Sequence, residues 1–387
     1  MRKFLIGSIL IFAVAITVAW LRNPQVFMIA WYQRPKVDTY KDFPTREIEP
    51  SSRPFSFPVA LADQKRIDDF KVRNWQGDLV PFAEYFEKGE LLAFVVIRND
   101  TLIFEKYASD FSGVALSHTF SIGKTMVSLM IGKAIELDYI KSTAQQVVEF
   151  LPEFNQIPDF DQVTIEDLLN MKSGLQFNRA DGSLFDDLFS HEARFYYTGN
   201  LKNDLLQSSF DTLPGTRWHY SNLDPLILTW LVEAATGMYA AEFFEKKVWQ
   251  PLGAESPASF GIDQPNGLEN SPSSFQCTAL DLAKVGRLLL NNGRIASTQV
   301  LSTTWINESL SIGPSNLNNT AKGRYKRTHQ YYWWLPTDGE GDYSAEGMRG
   351  QRLYVNPKDQ IVIVQLAKKG YGGYPYRDIS KYVSDLR

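Results

Sequence analysis

SIGKTMVSLMIGKAIEL, residues 121–137, is the stretch on which the reading of this chain turns. Apolar residues fall at 122, 126, 127, 130, 131, 134 and 135, which is helical spacing with a broad buried face, and predicts a helix over Ile122–Leu137. Lys124 sits in the first turn of that apolar helix, three residues after Ser121. Residues three apart share one helix face, so the amine can reach the hydroxyl. A serine hydroxyl is a poor nucleophile until a base takes its proton, and a lysine whose ammonium form is destabilised by burial or a nearby cation can be that base. The helix start also offers free backbone N–H groups and a positive dipole end for developing oxyanion charge. The bland alternative is a surface serine beside a solvated lysine. S-x-x-K occurs only once in the chain, and an apolar helix is a poor place for a solvated lysine. Gly123-Lys124-Thr125 also ends like a phosphate-binding loop, but that loop needs glycine at 118, where His118 stands.

Upstream, Leu91–Arg98 and Thr101–Tyr107 read as strands joined at Asn99-Asp100, a two-residue hairpin turn. A short helix is expected at Pro81–Phe86. Six prolines (24, 35, 44, 50, 54, 58) mark residues 23–78 as an extended spacer or wrap. At the N-terminus Arg2 and Lys3 precede an uncharged run from Phe4 to Trp20, followed by Arg22. Residues 1–22 therefore read as a membrane anchor or signal segment, with the uncleaved anchor preferred because apolar residues run through Ala13-Val14-Ala15. The expectation is a single pass through a bacterial inner membrane with the rest of the chain in the periplasm.

Downstream, residues about 140–295 read as mostly helical. Thr164 caps one helix, Asp224-Pro225 opens another that Gly237 closes, and Thr278 starts a third that ends at Asn291-Asn292-Gly293. Strands return at Tyr331–Leu335, Gln351–Val355 and Gln360–Leu366, before a last helix over about Tyr376–Leu386. Strands at both ends and helices between them imply an α/β (α+β) fold: an antiparallel sheet built from distant segments and flanked by helices, with a helical subdomain inserted. A ligand cleft is expected between sheet and insertion.

Net charge is −4, with no Lys/Arg-rich run, so nucleic acid is not an expected partner. Cys277 is the single cysteine, which excludes an intrachain disulfide and a cysteine metal site. His191-Glu192 begins like a zinc-binding H-E-x-x-H, but Phe195 occupies the second histidine position, and no metal or other cofactor is expected. Nothing in the pattern reports an oligomeric state.

Tyr220-Ser221-Asn222 lies on a loop just before the Asp224 helix. A phenol can relay a proton between serine, lysine and leaving group, and the Asn222 amide can hold a substrate carbonyl. The alternative is a tyrosine packing under a helix start, as Tyr354-Val355-Asn356 is best read.

Ser121–Lys124 followed by Tyr220-Ser221-Asn222 resembles the first two motifs of class C β-lactamases, D,D-peptidases and family VIII-like esterases, a group in which S-x-x-K carries the nucleophile. Val163–Leu169 with Ser173-Gly174-Leu175, Leu213-Pro214-Gly215 and Thr278–Leu290 resemble the family's supporting segments, so the likeness spans roughly residues 80–370. It implies a β-lactamase/transpeptidase-like domain over 79–387. Where that family carries Lys-Thr-Gly or His-Thr-Gly, this chain reads Ala345-Glu346-Gly347, continuing Met348-Arg349-Gly350-Gln351. That form resembles the branch containing 6-aminohexanoate-dimer hydrolases. The resemblance implies that the Met348 and Ser121 N–H groups form an oxyanion hole, with Gly347 keeping the strand edge open. It also implies that β-lactams are poor substrates, because the lysine that holds their carboxylate is missing, unless Arg349 substitutes. The reaction expected is two-step acyl transfer on a small-molecule ester or amide, with Ser121 as nucleophile and Lys124 and Tyr220 as acid–base pair. The rivals are a non-catalytic, membrane-anchored protein binding peptidoglycan or another ligand in the same cleft, and a D,D-peptidase.

Overall fold

The computed structural model describes Thr17 and residues 24–385, apart from 33, 63, 75, 180–189, 318–325 and 371–374. The Phe4–Trp20 run, on which the anchor expectation rests, lies outside the described residues except for Thr17. Among the described residues no helix is long and apolar enough to cross a membrane.

A seven-stranded antiparallel sheet is the frame. Its order is Arg327–Gln330, Trp333–Pro336, Tyr343–Gly347, Gln351–Asn356, Ile361–Ala367, Leu91–Arg98, Thr101–Tyr107. The expected hairpin forms at Asn99 and Asp100, whose φ values of 49° and 58° are the left-handed pair that a two-residue turn requires. Side-chain alternation along Leu91–Arg98 supplies two cores. Ala93, Val95 and Ile97 belong to the large cluster that includes the Gly123–Glu136 helix. Phe94 and Val96 face a smaller one with Phe82, Tyr85, Tyr354 and the C-terminal helix Tyr376–Asp385.

The helix Gly123–Glu136 is apolar nearly all round, and it is correspondingly buried from Gly123 to Ala134. The helix Leu223–Thr236 packs against it and ends at Gly237 in the left-handed conformation. Thr164 and Thr278 cap their helices by accepting from the backbone N–H of Asp167 and Asp281, each at 3.1 Å. The helix Ala279–Leu290 lies on the sheet face formed by Leu91–Arg98, Gln351–Asn356 and Ile361–Ala367.

Two local expectations change. The 140–295 region also holds strands, Ala258–Gly261 and Phe275–Cys277, which join Thr45–Ile48 and Ser117–His118 in a four-stranded sheet. The strand expected at Tyr331 begins instead at Trp333, because Tyr331 and Tyr332 form the turn from Arg327–Gln330, with φ values of 45° and 69°.

The proline-rich N-terminal part lies against the body of the molecule. Thr45–Ile48 pairs with Ala258–Gly261, and a helix over Pro24–Tyr32, which sequence pattern did not anticipate, packs on the helix His191–Tyr197.

Candidate active site

The chain enters the Gly123–Glu136 helix through a strained turn. Phe120 has a φ of 51°, a conformation costing roughly 1–3 kcal/mol for a bulky residue. His118 holds it there. Its ring stacks on Phe120 with centroids 4.0 Å apart, and its Nδ1 accepts the Phe120 N–H at 3.1 Å. That fixes the imidazole proton on Nε2, which lies 2.9 Å from the Tyr196 hydroxyl. Burial lowers the His118 pKa to about 3, so it stays neutral and serves as a positioning group.

Ser121 follows on this turn, and Lys124 lies one helical turn further. The Lys124 amine is 2.9 Å from Ser121 Oγ and donates to the Pro272 carbonyl at 3.0 Å. The lysine is 1% exposed and meets no carboxylate in an ion pair among the described residues. Burial is the main force on its pKa, which falls to about 7; Glu192 opposes the fall and Arg179 adds to it. Gly123 makes the approach possible, since a Cβ there would stand 2.0 Å from the Ser271 carbonyl oxygen.

Tyr220 comes from the loop ahead of the Leu223–Thr236 helix, its ring centroid lies 5.1 Å from the Lys124 amine, and Ser121 is close enough to act on its phenol. Its ring lies parallel to Trp334 at 6.2 Å and edge-on to His329 at 6.0 Å. Burial raises its pKa to about 12; the Ser121 hydroxyl works against the rise. The loop is tied down where His219 N–H donates to Met171 O at 2.9 Å and where buried Asp224 accepts the Ser173 hydroxyl at 2.7 Å. The structure therefore brings 121, 124 and 220 together.

The expected carbonyl-binding residues lie alongside. Asn222 is buried at the head of its helix, and Gly347 ends the Tyr343–Gly347 strand. A Cβ at Gly347 would come within 2.1 Å of the Thr119 carbonyl oxygen, so this strand packs directly on the Thr119–Ser121 turn. Met348, Arg349 and Gly350 close the hairpin back to Gln351, with φ values of 62° at Arg349 and 86° at Gly350. Arg349 does not enter the cleft as a substitute for the missing lysine. Its Nε donates to Pro35 O at 2.8 Å and its guanidinium to Lys368 O at 3.3 Å.

These groups open on a cavity of about 680 Å³, whose walls include Ile29, Pro35, Tyr196, Trp218, Trp334 and Met348. Sequence pattern did not place four of its charged members in a site: Arg34, Arg179, Glu192 and Arg352. Glu192 was legible only as part of an incomplete zinc motif. Its neighbour His191 accepts the Asn178 N–H instead, at 3.1 Å. Among the described residues no cluster of His, Cys, Asp and Glu could hold a metal ion.

Sheet, inserted helices and the cleft between them define the β-lactamase/transpeptidase-like class of fold. The chain belongs to the beta-lactamase family of hydrolases, whose model matches residues 89–383. A 6-aminohexanoate-dimer hydrolase of Paenarthrobacter ureafaciens is 26% identical over 285 residues, covering 71% of this chain and 72% of the relative. Among solved structures, a Bacillus anthracis protein provisionally named 6-aminohexanoate-dimer hydrolase superposes with a TM-score of 0.79 at 22% identity, covering 95% of this chain and 96% of that one. A penicillin-binding protein from Bacillus halodurans gives a TM-score of 0.60 at 17% identity, covering 79% and 99%. These structural likenesses concern the fold.

Proposed function

We propose that this protein is a serine hydrolase cleaving small linear esters or amides through an acyl-enzyme on Ser121. The observation that carries the reading is the buried Lys124 amine, 2.9 Å from Ser121 Oγ with its pKa lowered to about 7. An amine neutral near physiological pH can accept the serine proton as Oγ attacks the carbonyl carbon. The carbonyl oxygen becomes an anion, held by the Ser121 and Met348 N–H groups. As the tetrahedral centre collapses, Tyr220 gives its proton to the leaving alcohol or amine and is reprotonated from Lys124. Water then attacks the acyl carbon, and the serine recovers its proton.

Linear substrates are favoured over β-lactams by the third motif. Ala345 stands where the family's lysine or histidine would, and Arg349 is engaged by Pro35 and Lys368. The P. ureafaciens relative, named a 6-aminohexanoate-dimer hydrolase, supports a substrate other than a β-lactam. The expected setting, on the outer side of a bacterial inner membrane, rests on the Phe4–Trp20 run alone; fractionation of cells expressing the full chain tests it. The catalytic reading is tested with short p-nitrophenyl esters and a fluorophosphonate probe. Ser121→Ala should abolish labelling and lower kcat/KM by at least about 10³-fold. Equal turnover by parent and variant overturns the reading.

A further inference from the structure

The cavity holds charge that acyl transfer does not use. Among the described residues, its charged lining members are Arg34, Arg179, Arg352, Glu192 and Glu346. Glu346 is ion-paired with both Arg327 and Arg352, so the Arg352 guanidinium is engaged within the wall. Arg34, Arg179 and Glu192 are the remaining charged members among the described lining residues.

Arg179 has the best placement of the two arginines. Its guanidinium carbon lies 5.0 Å from the centroid of the Tyr220 ring, and the Lys124 amine lies 5.1 Å from the same centroid. The ring thus carries the proton-transfer amine and a solvent-accessible guanidinium together. Arg179 is exposed, and among the described residues it forms no ion pair. A guanidinium steadied by an aromatic ring keeps its fork of N–H donors for a planar anion, and a carboxylate matches that fork with two parallel bonds. The other candidates are less well placed: the third motif lacks its lysine, Arg352 is paired with Glu346, and Arg349 is turned onto the Pro35 carbonyl.

We propose that Arg179 receives a carboxylate on the substrate, so that the enzyme prefers short linear amides or esters bearing a free carboxylate near the scissile carbonyl. The proposal deepens the serine-hydrolase reading and rests on it, but it concerns binding, and binding can be measured without turnover. Calorimetry on the full-length Ser121→Ala protein would compare N-phenylglutaramic acid with its uncharged analogue pentananilide. The acid should bind at least about tenfold more tightly, the scale of one charge-assisted bidentate contact. Adding Arg179→Gln should reduce that preference to less than about threefold, and Arg179→Lys should retain part of it. Absence of acid binding, equal binding of the two ligands, or a preference that survives Arg179→Gln overturns the assignment. So does a preference lost equally with Arg34→Gln, which would place the carboxylate on the cavity's charge in general. Fluorophosphonate labelling of the parent protein reports separately on Ser121, so a failed carboxylate site and a failed hydrolase are told apart.

Discussion

At the scale of single residues, the environment drives two proton affinities apart. Burial takes the Lys124 amine down to about 7 and the Tyr220 phenol up to about 12. This separation assigns the proposed roles: a neutral amine as base and a phenol that stays protonated as acid. The rate kcat/KM should therefore rise with pH through an acid limb near 7, set by loss of the Lys124 proton. The neighbours give this prediction a sign. Glu192 favours the ammonium and Arg179 disfavours it. Glu192→Gln should move the limb to lower pH and Arg179→Gln should move it to higher pH, as measured on an uncharged ester. Limbs that do not move, or that move the other way, would show that another group sets the profile. Tyr220→Phe keeps the ring stacked on Trp334 but removes the acid. It should cost about 10²–10⁴-fold in kcat for an amide, the range of one general acid. For a p-nitrophenyl ester, whose leaving group needs no proton, the loss should be much smaller.

At the scale of elements, the critical contact is the Tyr343–Gly347 strand against the Thr119–Ser121 turn. Gly347→Ala would drive a methyl into the Thr119 carbonyl, so strand and turn must separate. A displacement of this kind in the oxyanion region should lower kcat by about 10²-fold, with a loss of about 1–3 kcal/mol in stability. Thermal unfolding run beside kinetics checks both, and a fully active variant would mean that the strand edge is not part of the site. The elements that were legible in sequence have local causes: helical spacing over 122–135, turn residues Asn99 and Asp100, and cap hydroxyls at Thr164 and Thr278. What stayed hidden has non-local causes. Ala258–Gly261 and Phe275–Cys277 are too short to show a period and are strands only because they pair with each other, with Thr45–Ile48 and with Ser117–His118. Tyr331 and Tyr332 look like strand residues by type, yet they turn the chain. Ser121, Lys124 and Tyr220 could be picked out by motif, whereas Arg179 and Glu192 reach the cavity through tertiary packing that no spacing encodes.

At the scale of the whole molecule, the N-terminal segment becomes part of the wall of the proposed catalytic cleft. Ile29 and Pro35 wall the cavity; Tyr32 stacks on Tyr197 at 6.1 Å, and Phe43 meets both Tyr196 and Tyr197. The His118 N–H donates to Val37 O at 3.3 Å, so the segment also touches the strand leading to Ser121. Arg349 joins this wall to the Met348–Gly350 turn through Pro35 O, and joins the turn to the end of the Ile361–Ala367 strand through Lys368 O. Arg349→Ala removes both ties and leaves a partly buried carbonyl without its donor, a loss of about 1–3 kcal/mol. Because Arg349 holds a left-handed φ, Arg349→Gly relieves that backbone strain while losing the same hydrogen bonds. If the guanidinium ties matter, both variants should lose kcat about tenfold or more, and KM should rise as the Ile29–Pro35 wall loosens. If only backbone conformation matters, Arg349→Gly should be as active as the parent, and this wall would be a passive cover.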